Sequence, residues 1–141
     1  RASFKHRTHP VMHPAHAAVE NVPTCLARST PFDLVQESQW ITLDLRWAAL
    51  YNELDRFEAV MGSVANVHLR GNLAGSAWRL HGAPFDFYDA LRKLRQEWGY
   101  TGLFTMEPGG LRDGDLEGLV AAMATLRGHR RMPSRPCEGI G

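Results

Sequence analysis

Four residues able to bind a metal ion occupy similar places in four separate apolar runs of the sequence. Each run carries one such residue near its C-terminal end, and the four are Glu20, Asp44, His68 and Glu107. Three carboxylates and one imidazole suit Mn²⁺, Mg²⁺, Co²⁺ or Zn²⁺ and disfavour thiophilic ions. If the carboxylates meet, they repel one another, and a divalent cation among them relieves that cost. The alternative is that each polar group ends its strand facing solvent.

The elements that must position these residues are four β-strands, which alternate with stretches of helical period. The runs are short and mostly apolar, as in strands that are buried on both faces of a parallel sheet. Parallel strands joined by right-handed crossovers bring their C-terminal ends to one rim of the sheet. The four side chains are therefore expected to meet there. The predicted strands are residues 17–22, 40–45, 65–69 and 102–107.

Helices are predicted where apolar residues recur every three or four positions. Three helices are predicted, and a glycine follows each of them: residues 47–61 before Gly62, residues 86–98 before Gly99, and residues 113–127 before Gly128. A shorter helix is predicted over residues 32–37, after Pro31. This pattern indicates one βα domain over residues 17–127.

The two ends of the chain lack such a pattern. Residues 1–16 are predicted to form an irregular N-terminal segment. Residues 128–141 are rich in Gly, Pro and Arg, and they are predicted to be disordered because they cannot bury enough apolar area to offset the entropy of ordering.

Composition narrows the class of protein. The 141 residues have a formal net charge of +1, which argues against a protein that coats nucleic acid. No apolar stretch approaches the roughly 20 residues of a membrane-spanning helix, so no membrane partner is expected. The two cysteines, Cys25 and Cys137, lie far apart and have no metal-ligand spacing, which makes a reducing, cytoplasmic location the default. A complete (β/α)8 barrel typically needs about 250 residues, so this chain is too short for one.

Over residues 17–127 the chain resembles the C-terminal half of the xylose isomerase-like TIM barrels. That superfamily includes sugar phosphate isomerases and epimerases and the endonuclease IV type of AP endonuclease. The resemblance lies in the order and spacing of three pieces: His68-Leu69-Arg70, Asp86-Phe87 before a helix, and Gly99-Tyr100-Thr101-Gly102 leading to Glu107. It implies an α/β fold that is a partial (β/α)8 TIM barrel of about four parallel βα units.

The resemblance also implies a site and a reaction. A divalent metal (Mn, Mg, Co or Zn) would be held by Glu20, Asp44, His68 and Glu107. The reaction would be isomerisation or epimerisation of a sugar or sugar phosphate by proton transfer next to a carbonyl, through an enediolate. Glu20 and Glu107 would be the catalytic acid and base.

The sequence departs from the family pattern in three places. The Asp or Asn that the family has a few residues after the metal-binding His is replaced in the region of residues 70–72, where only Asn72 could take its place. The family usually has a His three positions after the metal-binding Asp, which is Asp44 in this chain. Trp47 is at that position here, and it is predicted to be the first core residue of its helix. The loop over residues 75–82 lacks the second His and the acidic residues of the endonuclease branch, which makes that branch improbable. Arg70 and His81 are candidate substrate-binding residues, and the alternative is that both are solvated surface groups.

A half-barrel is expected to leave two open sheet edges and a bare apolar inner face, and such surfaces promote association. The chain is therefore expected to pair with a copy of itself or with a chain that supplies the missing half-barrel, or to be a remnant of a longer protein. Two functions follow. One is a metal-dependent sugar isomerase or epimerase that is active when the barrel is complete. The other is a non-catalytic barrel remnant or interaction module.

Overall fold

Strands and helices alternate along the chain, as the apolar pattern predicts. The computed structural model describes residues 17–24, 29–82, 84–112 and 114–128. The predicted N-terminal segment 1–16, and the predicted tail beyond Gly128, lie outside these residues. The elements in chain order are β1 (Val19–Glu20), α1 (Pro31–Val35), β2 (Ile41–Asp44), α2 (Leu45–Leu50), a 3-10 helix (Leu54–Ser63), β3 (Val64–Ala74), β4 (Ala77–Arg79), α3 (Phe87–Arg92) with a following π-helical turn (Lys93–Glu97), β5 (Leu103–Gly109) and α4 (Leu116–Gly128).

Four of the five strands form a parallel sheet in the order β1, β2, β3, β5. The fifth, β4, pairs with the end of β3 in the antiparallel direction. The α/β class and the parallel pairing of the four predicted strands are confirmed. Within the described residues β1 and β5 each pair with a single strand, so the sheet is open and no closed barrel is formed.

Two elements differ from the sequence predictions. The helix predicted over residues 47–61 is interrupted, because the backbone of Asn52 adopts a left-handed conformation with φ 54° between α2 and the 3-10 helix. Asn tolerates this conformation better than most residues. The predicted loop over residues 75–82 contains a strand, β4, which returns along β3 after a tight turn at Gly75, where φ is 64°. Glycine adopts that angle without a steric cost.

The hydrophobic core lies between one face of the sheet and the helices. Strand residues Ile41, Leu43, Val67 and Leu69 are buried there, together with residues from the helical elements. The core residues contributed by the helical elements include Val35, Ala48, Phe57, Phe87, Leu94 and Ala122. None of the described helices has the length and apolarity needed to cross a bilayer.

The other face of the sheet is polar, which corrects the expectation of a bare apolar inner face. Residues that pair across neighbouring strands point to the same face of a sheet. The paired rows on this face are Glu20, Thr42, Asn66 and Leu103, then Asp44, His68 and Thr105, then Arg70 and Glu107. Leu103, which is 73% exposed, is the large apolar side chain among them. The period-2 alternation of β3 produces this result, because its buried residues all point to the helices.

Candidate metal centre

The four predicted ligands lie together at one rim of the sheet. Each of Glu20, Asp44, His68 and Glu107 offers a ligand atom, and these atoms all lie within 4.8 Å of one another. The strands run parallel, and Asp44 is directly paired with His68. The prediction that these four side chains meet is therefore confirmed. Their role as metal ligands and the catalytic roles of the two glutamates stay predictions.

His68 lies between the two glutamates. Its Nδ1 atom is 3.0 Å from Glu20 Oε1 and 2.8 Å from Glu107 Oε1. One ring nitrogen carries a single N–H or a single lone pair, so it cannot make two full hydrogen bonds to these acceptors. Neighbouring ligand atoms around an octahedral Mg²⁺, each about 2.1 Å from the ion, lie about 3 Å apart. The distances from His68 Nδ1 to the two glutamate oxygens therefore fit a shared ion.

Asp44 is fixed from both sides by neighbouring groups. Its Oδ1 atom accepts a hydrogen bond of 2.8 Å from the backbone N–H of Arg46, which caps the N-terminus of α2. Its own backbone N–H donates to Asn21 Oδ1 at 2.6 Å, and Asn21 Nδ2 donates to the Asp44 carbonyl at 3.2 Å. Both side chains are fully buried. Asn21 thus continues the β1–β2 pairing with its side chain and holds Asp44 at the rim.

The second carboxylate oxygen of Asp44 lacks a hydrogen-bond donor. Oδ2 is buried and lies 3.0 Å from Arg70 Nε, yet no hydrogen bond reaches it. The Nε–H group donates instead to Glu107 Oε2, at 2.8 Å. Burial raises the pKa of Asp44 to about 6, although the charge of Arg70 opposes this shift. A buried carboxylate oxygen in this state is suited to a cation.

Arg70 is part of the cluster. Its Nη2 atom lies 2.8 Å from Glu107 Oε2 and 3.4 Å from Glu20 Oε1, and the side chain is 31% exposed. The side chain is therefore ion-paired rather than a solvated surface group. Three ionised carboxylates and the Arg70 guanidinium leave two net negative charges, which one divalent cation neutralises. The donor set and the charge both fit such an ion.

Two further residues singled out from the sequence lie outside this cluster. His81 is exposed in the turn after β4 and does not belong to the group of four. Its substrate-binding role stays a prediction. Trp47 is half-buried in α2, and the guanidinium carbon of Arg46 lies 5.2 Å from the centre of its ring. Trp47 does not belong to the hydrophobic core, to which α2 contributes Leu45 and Ala48, so the prediction that it is the first core residue of its helix is wrong.

Comparisons of this chain with protein-family models, with curated proteins and with solved structures found no match.

Proposed function

We propose that this chain carries a divalent-metal site of the isomerase or epimerase type, with a sugar or sugar phosphate as substrate. The observation that supports the proposal most strongly is the meeting of Glu20, Asp44, His68 and Glu107 within 4.8 Å. A second observation supports it: Asp44 Oδ2 is buried and accepts no hydrogen bond, although Arg70 Nε lies 3.0 Å away. The resemblance to the xylose isomerase-like barrels supplies the reaction class.

Different residues of the chain would hold the ion, transfer the proton and bind the substrate. Glu20, Asp44, His68 and Glu107 would hold the ion, which when bound supplies positive charge that polarises a substrate carbonyl and stabilises the enediolate. Glu20 and Glu107 lie on two sides of His68. One glutamate removes the proton next to the carbonyl, and the other returns a proton. Arg70 and His81 are the proposed groups for a substrate phosphate or carboxylate.

The test is a calorimetric titration of the chain with Mn²⁺, followed by thermal unfolding with and without the ion. At a free Mn²⁺ concentration 100 times the Kd, binding raises the free energy of unfolding by about 2.7 kcal/mol. Glu107→Gln and Asp44→Asn should each weaken this effect. Glu97→Gln is the matched control, because Glu97 is an exposed residue paired with Arg92 outside the cluster. Absence of Mn²⁺ binding in the parent chain would contradict the proposal.

Turnover needs its own measurement. The proposed proton transfer exchanges the hydrogen next to the carbonyl with solvent, so a ketose incubated with the Mn²⁺-loaded chain in D₂O should gain deuterium at that carbon. Glu20→Gln and Glu107→Gln should each stop the exchange. Mn²⁺ binding without any exchange across a panel of ketoses and ketose phosphates would leave a metal site and refute the isomerase.

A non-catalytic interaction module is the second candidate function, and the position of Arg70 favours it. Its guanidinium already contacts Asp44, Glu20 and Glu107, so the cluster can hold together as a salt-bridge network. In that case Mn²⁺ leaves thermal stability unchanged, whereas removal of the Arg70 charge lowers it. The proposed metal site predicts that Mn²⁺ stabilises the parent chain.

A further inference from the structure

The two carboxylate oxygens of Asp44 have different partners. Oδ1 accepts a hydrogen bond from the backbone N–H of Arg46 at the start of α2, and this bond is internal to the fold. Oδ2 is buried and accepts no hydrogen bond, so we expect a metal ion that uses Asp44 to bind this oxygen. That atom faces Arg70 Nε at 3.0 Å, so the guanidinium stands where the ion would approach.

The oxygens of Glu107 divide between the same two neighbours. Oε1 faces His68 Nδ1 at 2.8 Å, and Oε2 faces Nε and Nη2 of Arg70, each at 2.8 Å. The single oxygen Glu20 Oε1 faces both His68 and Arg70, at 3.0 Å and 3.4 Å. The cluster thus has an imidazole side, where His68 contacts both glutamates, and a guanidinium side, which Arg70 occupies.

From this division we infer that Arg70 is an exchangeable counter-cation that competes with the divalent ion for Asp44 Oδ2. The inference rests on the proposed metal site. In the metal-free chain the guanidinium offsets part of the repulsion among the three carboxylates. When the ion binds Oδ2, its charge repels the guanidinium that lies 3.0 Å from the same oxygen, so the guanidinium moves outward. Its side chain is 31% exposed, which gives it a route to solvent.

Competition and support predict opposite effects when Arg70 is removed. If Arg70 merely held the carboxylates in place, its loss would weaken metal binding. If it competes for Asp44 Oδ2, its loss strengthens binding, because the ion no longer displaces a cation. We expect Arg70→Met to bind Mn²⁺ at least about tenfold more tightly than the parent chain, which corresponds to about 1.4 kcal/mol.

The experiment is Mn²⁺ titration calorimetry on the full chain, with Arg70→Met, Asp44→Asn and the double variant forming a double-mutant cycle. The gain from Arg70→Met should shrink in the Asp44→Asn background, because the competition acts through Asp44 Oδ2. Arg92→Met is the matched control. Arg92 also pairs with two carboxylates, those of Asp89 and Glu97 on an exposed surface, and its loss should leave Mn²⁺ affinity unchanged.

Each outcome separates the inference from the proposed metal site. If the parent chain binds Mn²⁺ and Arg70→Met binds equally or more weakly, the inference is overturned and the metal site survives. If only Arg70→Met binds, the inference holds and metal binding by the parent chain is refuted. If no variant binds, both are overturned. Circular dichroism establishes folding, and Arg70→Lys, which keeps the charge, serves as the second variant and should not show the tenfold gain.

Discussion

Asn21→Ala is the substitution that tests how the fold positions the site. Asn21 is fully buried, and its side chain makes two hydrogen bonds with the backbone of Asp44, one of 2.6 Å and one of 3.2 Å. The substitution leaves the buried N–H of Asp44 unpaired, which costs about 1–3 kcal/mol. It also removes one of the hydrogen bonds to the Asp44 carbonyl, which as the N-cap of α2 still accepts the first intrahelical bond, and this loss costs about 0.5–1.5 kcal/mol. The expected loss in the free energy of unfolding is therefore about 1.5–4.5 kcal/mol.

The assay is urea denaturation of the parent chain and the variant in the presence of a chelator, so that metal binding does not contribute. Asn72→Ala is the matched control, because Asn72 donates one exposed hydrogen bond, of 3.0 Å, to the carbonyl of Gly109. Its loss should cost about 1 kcal/mol or less. Under the proposed metal site, Asn21→Ala should also weaken Mn²⁺ binding, since Asp44 is no longer held at the rim.

A loss smaller than about 1 kcal/mol for Asn21→Ala would refute this reasoning. It would mean that water or a shifted backbone replaces both bonds, and that Asp44 is positioned by its helix cap alone. A loss of the expected size with unchanged Mn²⁺ affinity would separate the two roles. Asn21 would then stabilise the fold without positioning a ligand.

Three further predictions concern the pH dependence and the packing. In the presence of a chelator, ionised Asp44 destabilises the folded state by about 3 kcal/mol when the pH is above its folded pKa of about 6. Relative to Asp44→Asn, the parent chain should therefore be most stable below pH 3.8 and should lose that advantage as the pH rises through 6. A stability difference in urea denaturation that does not change with pH would contradict the raised pKa. Gly71→Ala places a Cβ 2.8 Å from Trp78 Nε1 and 2.9 Å from the Arg79 carbonyl. Thermal unfolding should therefore show a decrease of about 1–3 kcal/mol in the free energy of unfolding. An unchanged unfolding midpoint would show that β4 is not packed against β3. Phe57→Ala removes a fully buried ring that packs edge-on against Phe32, with 4.9 Å between the ring centres. Urea denaturation should show a decrease of about 3–5 kcal/mol in the free energy of unfolding. A decrease below about 1 kcal/mol would contradict a place for Phe57 in the core.

The sequence predicts the strands and the meeting of the four ligands because both follow from local patterns. Short apolar runs mark the buried strands, and the parallel arrangement then brings their ends together. The place of Arg70 in the cluster could have been found in the same way. It lies two positions after His68 on one strand, and the two-residue period puts both side chains on the same face.

Other features depend on contacts that no local pattern records. Asn21 pairs with a backbone 23 positions away, and its neighbours in sequence give no sign of this. The break at Asn52 interrupts a continuous apolar period, because tertiary contacts of the following residue outweigh helix propensity. The backbone N–H of Glu53 donates to Ala48, and its carboxylate accepts from the backbone N–H of Phe32. Strand β4 has only three residues, Ala77–Arg79, which is too short for an alternating pattern to predict a strand.

The most direct test of the central claim is a crystal structure of the chain soaked in Mn²⁺, with anomalous diffraction used to locate the ion. The account predicts one anomalous peak bound by His68 Nδ1, Glu20, Glu107 and Asp44 Oδ2, with the Arg70 guanidinium moved outward. A cluster without such a peak, with Arg70 still paired to Asp44 and Glu107 at saturating Mn²⁺, would contradict it.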